Sequence, residues 1–192
     1  MAIDRAFTEF PVLTTERLLL RRFQPDDAEA LFAILSDEDA MRFTGHGAAH
    51  SLDDARERIR QIDARYARRE AIHWAVTLQG ADRVIGSCSL HRIDEGHHHA
   101  ETGYELHRAY WGRGIMPEAV SATLGYGFTD LGMHRIEAII DDQNAQSKRL
   151  LLKLGFTYEG NLRQRYLHHG RFEDEYYYGL LKDEWLGSAR HG

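Results

Sequence analysis

The stretch RAYWGRGIMPEA, Arg108 to Ala119, has the composition of a ligand loop rather than of a core. Gly112 and Gly114 flank Arg113, and Pro117 stands just inside what reads as a new helix. Glycine permits left-handed backbone angles and lets a ligand come close. Proline in a first helical turn gives up an N–H that would have no partner there. The leading N–H groups of a helix lack intrahelical acceptors and sit at the positive end of its dipole, so the place suits a phosphate or pyrophosphate, with Arg113 adding charge. A plain tight turn before a helix would show the same spacing. A Walker loop is excluded, because no Gly-Lys-Ser/Thr follows. A dinucleotide fingerprint would need a third glycine where Pro117 stands. Asp141 and Asp142 could supply its ribose-binding acid, but a doubly wound fold needs several βαβ units and this chain offers one.

The elements that must position the loop follow from periodicity. RLLLRRF (Arg17–Phe23) reads as a strand. PDDAEALFAIL reads as a helix with Ala28, Leu31, Phe32 and Leu35 on one face. After the glycine-rich loop Arg42–Ser51, Ser51 and Asp54 have the spacing of a capping box, and Leu52, Ala55, Ile59, Ile62 and Tyr66 stripe a second helix. Three strands, His73–Leu78, Arg83–Ile93 and His99–Leu106, are joined by links too short for parallel crossovers, so they pair antiparallel. Val120, Leu124, Phe128 and Leu131 then recur at helical spacing, with Gly132 placed to end that helix and His134–Ile140 as the next strand. Strand, glycine loop, helix and strand make one βαβ unit, whose strands should be parallel. Asn144 caps a further helix with Leu150, Leu151 and Leu154 inward and Gly155 as its stop. Strands Thr157–Tyr166 and Phe172–Leu181 close the chain. The expectation is an α/β (α+β) fold: a mixed, mostly antiparallel sheet flanked by helices, with one parallel βαβ unit, in a single domain over residues 1–192.

Bulk properties narrow the function. Charged residues at 28% and hydrophobic ones at 43% are ordinary for a globular protein. A net charge of −6 argues against nucleic acid as the main partner, though not against a local basic patch. Cys88, the one cysteine, sits in the strand VIGSCSL as a small apolar residue, which suits a reducing compartment. No signal peptide is seen, and no apolar run approaches the ~20 residues of a membrane span. A cytoplasmic protein with no membrane partner is expected.

Taken together, these residues resemble the GNAT superfamily of N-acetyltransferases. WGRGIM is similar to that superfamily's acyl-coenzyme A pyrophosphate loop, Q/R-x-x-G-x-G/A, with Gly114 at its first glycine, Trp111 in place of Gln/Arg and Met116 in place of the last small residue. Both departures are familiar in the RimJ/RimL-like branch of protein N-terminal acetyltransferases. TERLLLRRFQPDDAEALF, DQNAQSKRLLLKLGF and EGNLRQRYLHHGRFEDEYYYGLLKDEW resemble that branch too. The resemblance implies acetyl-coenzyme A as co-substrate, no metal, and a primary amine as acceptor, either the N-terminus of a protein or a small amine. The pantetheine arm would lie in a splay between Glu101–Leu106 and Arg135–Ile140. Backbone N–H groups of Gly112, Arg113, Gly114, Ile115 and Met116 would hold the pyrophosphate, with Trp111, Asn144 and Arg149 completing the cofactor set. The branch often forms homodimers, and the sequence leaves the oligomeric state open.

An acceptor amine is largely protonated at neutral pH, with a pKa of about 10.4 for a lysine-like amine and about 8 for an α-amine, and reacts only when neutral. The site therefore needs a base, an oxyanion donor and a proton source for the thiolate. By resemblance, Glu101 in AETGY is the base, or else a structural acid. Strand alternation puts Glu105 on the same face as a reserve. A backbone N–H near Glu105 or Leu106 would hold the oxyanion. The tyrosine that many members use as the acid is Leu151 here, and the branch proposes a serine matching Ser147, which is equally a helix-start residue beside the Asn144 cap. Water is an alternative proton source. The histidine runs His97–His99 and His168–His169 read as solvated loops, Tyr176–Tyr178 as alternating core and surface, and RYARRE (Arg65–Glu70) as the solvated end of a helix. The loops Arg42–Ser51 and Leu167–Phe172 are where the family admits its acceptor. A small-amine acetyltransferase and a catalytically silent acyl-coenzyme A-binding domain stay open beside the N-terminal reading.

Overall fold

The computed structural model describes residues 2–44, 47–168 and 170–188. Helix α1 (Ala2–Thr8) leads into strands β1 (Leu13–Thr14) and β2 (Leu18–Arg21). A 3-10 turn at Pro25–Asp27 precedes α2 (Ala28–Leu35), and α3 (Glu38–Met41) and α4 (Leu52–Ala67) follow. Then come β3 (Ala71–Leu78), β4 (Val84–Asp94), β5 (His99–Leu106), α5 (Ile115–Thr129), β6 (Arg135–Ile140) and α6 (Ala145–Lys153). The chain closes with β7 (Thr157–His168), β8 (Arg171–Leu181) and α7 (Lys182–Ser188). The strands form one sheet in the order β1-β2-β3-β4-β5-β6-β8-β7. Every neighbouring pair is antiparallel except β5 and β6, which bracket α5. This is the expected mixed sheet with its one βαβ crossover.

Strand alternation sorts side chains between two helical layers. Ile72, Trp74, Cys88, Leu90 and Ala100 face α5, which packs Val120, Leu124 and Phe128 against them. Ala75 and Val84 face the other way and are covered by α2 and α4. The Ser51 capping box forms: the Ser51 hydroxyl accepts from the N–H of Asp54 at 3.2 Å, and the Asp54 carboxylate accepts from the N–H of Ser51 at 2.9 Å. Ala55, Ile59, Ile62 and Tyr66 are buried as the stripe requires, with Leu52 half-buried at its start.

Three local expectations need correction. The inward residues of α2 are Ala28, Leu31, Ile34 and Leu35, while Phe32 is only half-buried. The helix lies between α4 and the sheet, so its covered sector includes Ile34. Helix α5 stops at Thr129, and Leu131, buried at 5% exposure, packs from the loop before Gly132. In α6 only Leu151 is fully buried among the leucines, with Leu150 and Leu154 at the rim.

The approach of α5 to the sheet depends on Gly127. A Cβ there would meet Ile136 Cδ1 at 2.7 Å and Leu90 Cδ1 at 3.1 Å, whereas one on Gly125 would meet nothing within 4 Å. Gly127→Val is expected to destabilise the fold by about 1–3 kcal/mol in urea denaturation. Gly125→Ala, on the open side of the same helix, should be neutral or stabilising by about 0.5–1 kcal/mol.

Candidate active site

The loop that opens α5 is shaped for an anion. Gly112 and Gly114 are both left-handed, at φ 73° and 72°, and Gly114 is the N-cap of α5 without a side-chain cap bond. None of the N–H groups from Gly112 to Met116 donates to a described backbone acceptor outside the helix, and Pro117 has none to give. The side chains of Ile115 and Met116 are buried at 4% and 6% exposure, so these residues offer only backbone to a ligand. Arg113 is exposed and stacks its guanidinium over Tyr110, while the Trp111 indole donates to Leu106 O at 2.8 Å.

The loop's carbonyls are turned away and held. Arg17 donates to Arg113 O at 3.0 Å and to Gly114 O at 3.1 Å. Its Nε donates to Glu118 at 2.6 Å, and Glu118 also accepts from the Thr15 hydroxyl and the Arg17 N–H. Fixing the carbonyls outward leaves the N–H groups inward. Sequence reasoning missed this brace because its partners lie about a hundred residues apart in the chain and each alone looks like a surface charge.

Beside the loop the sheet splits. β5 and β6 pair only at His99–Arg135, Ala100–Ile136 and Glu101–Glu137. Beyond those pairs β6 continues against β8, through Ile140–Tyr176, while β5 continues against β4, through Gly86–Leu106. The diverging edges wall a cavity of ≈ 1200 Å³ that also takes in the glycine loop and the start of α6. Glu105, Leu106, Trp111, Gly112, Gly114, Ile115 and Met116 line it, as do Asn144, Ser147 and Arg149, so the cofactor set predicted from sequence converges on one space except for Arg113, which is not among the lining residues. Unpaired backbone groups on the β6-facing edge of β5 are donors of the kind an oxyanion needs.

Ser147 holds two relations at once. Its N–H donates to the Asn144 side chain at 3.0 Å, so the pair is a true helix start. Its hydroxyl, on a residue only 7% exposed, lies 2.5 Å from the Tyr104 hydroxyl. Burial pushes the Tyr104 phenol well above the ordinary tyrosine range, with the Ser147 bond pulling partly the other way, so the phenol keeps its proton. Tyr104 was not singled out from sequence. The signal was available: alternation along AETGY puts it on the face opposite Glu101, toward α5 and α6.

On the α2/α4 face, register stacks polar residues side by side. His73 pairs with Ser89, Ser89 with Gly103, and His91 with Glu101. Glu101 is 8% exposed, and its carboxylate accepts from Arg92 at 2.8 Å and lies 3.5 Å from His91 Nε2. Burial raises its pKa, but His91 and Arg92 outweigh that and leave it below the ordinary glutamate value. Glu101 itself is not among the residues that line the cavity, whereas His73, Ser89 and His91 are. The other ring nitrogen, Nδ1 of His91, is 3.2 Å from the Ser89 hydroxyl. Glu105, the reserve candidate, lines the cavity and accepts from Ser87 at 2.9 Å.

The remaining expectations divide. His97 is exposed and pairs with Asp94, but His99 is not a loop residue: it starts β5, half-buried, with Nε2 2.9 Å from Glu137. Among the tyrosines, Tyr178 is core at 1% exposure and its neighbours are half-buried. Arg65 lines the cavity and is half-buried rather than solvated. Gly45 and His46 of the first acceptor loop, and His169 of the second, lie outside the described residues. No described helix is long and apolar enough to cross a membrane.

A helix N-terminus with bare N–H groups beside a parallel pair that splits is joined by a sequence match: residues 17–157 match the acetyltransferase (GNAT) domain. The chain belongs to the GNAT acetyltransferase family. It is 36% identical to the uncharacterized N-acetyltransferase YoaA of Bacillus subtilis (strain 168), over 90% of this chain and 98% of that one. It is 29% identical to the protein named "Putative ribosomal N-acetyltransferase YdaF" of the same organism, over 93% and 98%. A solved GNAT-family acetyltransferase from Bacillus anthracis superposes with a TM-score of 0.81 at 31% identity, covering 90% of this chain and 99% of that one. The RimJ/RimL-like resemblance of the sequence extends to YdaF. This GNAT protein is thus an acetyl-coenzyme A-dependent N-acetyltransferase, and the loop, splay and α6 residues fit a ligand that presents a pyrophosphate at one end and a thin thioester arm at the other.

Removing the Arg17 brace should loosen the loop without touching the cavity's chemistry. Arg17→Ala is expected to weaken coenzyme A binding about tenfold in calorimetry, the size of one or two charge-assisted hydrogen bonds.

Proposed function

We propose that this acetyltransferase moves the acetyl group of acetyl-coenzyme A to a primary amine that enters from the α2/α4 side of the sheet, the acceptor being the N-terminal α-amine of a protein. One observation carries the reading: the cavity reaches from the bare N–H groups of Gly112–Met116 to the His73–Ser89–His91 face. The ribosomal name of YdaF supports the choice of acceptor.

Acetyl-coenzyme A supplies the activated acyl group, and the chain's residues handle the protons. His91 takes the proton released as the amine attacks. With Nε2 toward Glu101, the accepting nitrogen is Nδ1, and the Ser89 hydroxyl beside it passes the proton on. Glu101 is a positioning residue: ionised and fixed by Arg92, it orients the imidazole and balances the charge that arrives. The Tyr104–Ser147 pair on the opposite face of β5 returns a proton to the thiolate. The two proton routes lie on opposite faces of one strand, because Tyr104 and Glu101 are an odd number of residues apart.

The first test is free-thiol release with unblocked peptides, α-blocked peptides and a panel of polyamines and aminoglycosides. Turnover confined to free peptide α-amines is expected; turnover with small amines alone would replace the protein acceptor by a small one. A pH profile tests the proton route. Glu101 has its pKa lowered in the fold, so it stays ionised from the acid limb upward, and protonating it does not cause any loss of rate between about pH 8 and about pH 6. Glu101→Gln should therefore lower kcat by about 10²–10³ across that range. Wild-type rates in the variant at every pH would remove Glu101 from the mechanism.

A further inference from the structure

Helix α4 carries four arginines of two kinds. Arg56 and Arg60 point outward and pair with Asp53 and Glu57 of the same helix, at 2.8 and 2.7 Å. Arg58 and Arg65 are half-buried and line the cavity. They are seven residues apart, hence on one face about 10 Å from each other along the axis. No described carboxylate lies within ion-pair distance of either. Glu70, the acid nearest Arg65 in sequence, is held by Arg68 at 2.7 Å. The Arg58 Nε is buried with no hydrogen-bond partner among the described residues. Burial, reinforced by Arg58, depresses the pKa of Arg65.

The acids that face the same space are already engaged. Glu101 is held by Arg92 and His91, Glu105 accepts from Ser87, and Asp39 accepts from Arg108 at 3.1 Å. On the α4 wall of the cavity Arg58 and Arg65 therefore stand without an ion-pair partner among the described residues, in a protein whose net charge is −6. A guanidinium taken partly out of water and left unpaired is costly unless a ligand supplies the anion. The phosphates of the acyl donor do not: their loop opens α5, on the opposite face of the sheet from α4.

We infer that the acceptor amine carries a carboxylate, which Arg58 and Arg65 of α4 bind while the amine faces His91. This deepens the proposed function and rests on it. On that reading the carboxylate is an acidic side chain next to the α-amine of a protein N-terminus; a free amino acid carries the same two groups and is the competing source. The planar, forked guanidinium suits either, and a polyamine is disfavoured.

The test compares thiol release for matched pairs: amino acids against their carboxamides, and peptides with glutamate against glutamine at the second position, with spermidine alongside. The two pairs separate the two sources. Wild type should favour the acid of a pair by about ten- to a hundredfold in kcat/KM. Arg58→Gln and Arg65→Gln should abolish that ratio through KM while coenzyme A affinity stays unchanged, and Arg65→Lys should retain part of it. Equal rates for acid and amide, a preference for spermidine, or a ratio that survives both Gln variants would overturn the inference. If no amine is turned over, the proposed function fails, and calorimetry of the coenzyme A-loaded protein decides the charge question. Binding of N-acetylglutamate that exceeds binding of its diamide and is lost in Arg65→Gln upholds the inference; equal binding, or none, overturns it.

Discussion

The site depends on a parallel pairing that stops after three residue pairs. β5 and β6 meet at Ala100–Ile136 and part beyond Glu101–Glu137, each leaving with a different antiparallel partner. Exposed backbone donors and acceptors are costly inside a protein, so such a split persists only where something else satisfies them. The surroundings are arranged to keep it open. Gly127 lets α5 settle onto Leu90 and Ile136 just below the fork, which pins the closed end. The Tyr104–Ser147 hydrogen bond spans the open end between β5 and α6 and sets their spacing. The same crossover that makes the two strands parallel delivers the amino end of α5 to the mouth of the split.

Charge is partitioned by direction. At the loop, Arg17 and Glu118 are spent on carbonyls and on each other, and what faces the cavity is the uncharged but polar edge of a helix. Across the sheet the opposite holds: Arg58 and Arg65 of α4 line the cavity, and of the acids near them Glu101 pairs with Arg92, Asp39 pairs with Arg108 and Glu105 accepts from the Ser87 hydroxyl. A protein of net charge −6 thus keeps the amino end of a helix at one part of its cavity and two guanidinium groups at another. The overall balance could not show this, because net charge is dominated by exposed residues that pair with one another along helices.

What was legible in the sequence was what short range decides. The Ser51–Asp54 capping box, the Asn144 cap, the hairpin links and the glycine loop each involve residues within a few positions of one another, and each appears as read. The sequence placed Glu101 and Glu105 on one strand face, but it could not show that Arg92 and His91 would claim the Glu101 carboxylate, because that depends on the β4–β5 register. The Arg17 brace is a contact between distant segments and leaves no periodic trace. Arg65 departs from the solvated charge run that RYARRE suggests because it lies one turn after the buried Ile62 on the cavity side of α4, whereas the helix ends before Arg68 and Glu70, which pair with each other.

The register also fixes what the Glu101 carboxylate touches. A base works best when its pKa lies near the working pH. Glu101 is buried enough to have become such a base, yet its two cationic neighbours draw it the other way and keep it ionised. Moreover, its carboxylate lies against His91, and Glu101 is not among the residues that line the cavity. Gly103, on the same strand as Glu101 and paired with Ser89, has no side chain to intervene; a Cβ there would sit 3.2 Å from the Ser89 hydroxyl and 3.3 Å from the His91 ring. The absence of one side chain thus allows Ser89, His91 and Glu101 to form a line from the cavity into the sheet. In that line Ser89 and His91 reach the cavity and Glu101 meets it only through them, which is the arrangement that the proposed proton route uses.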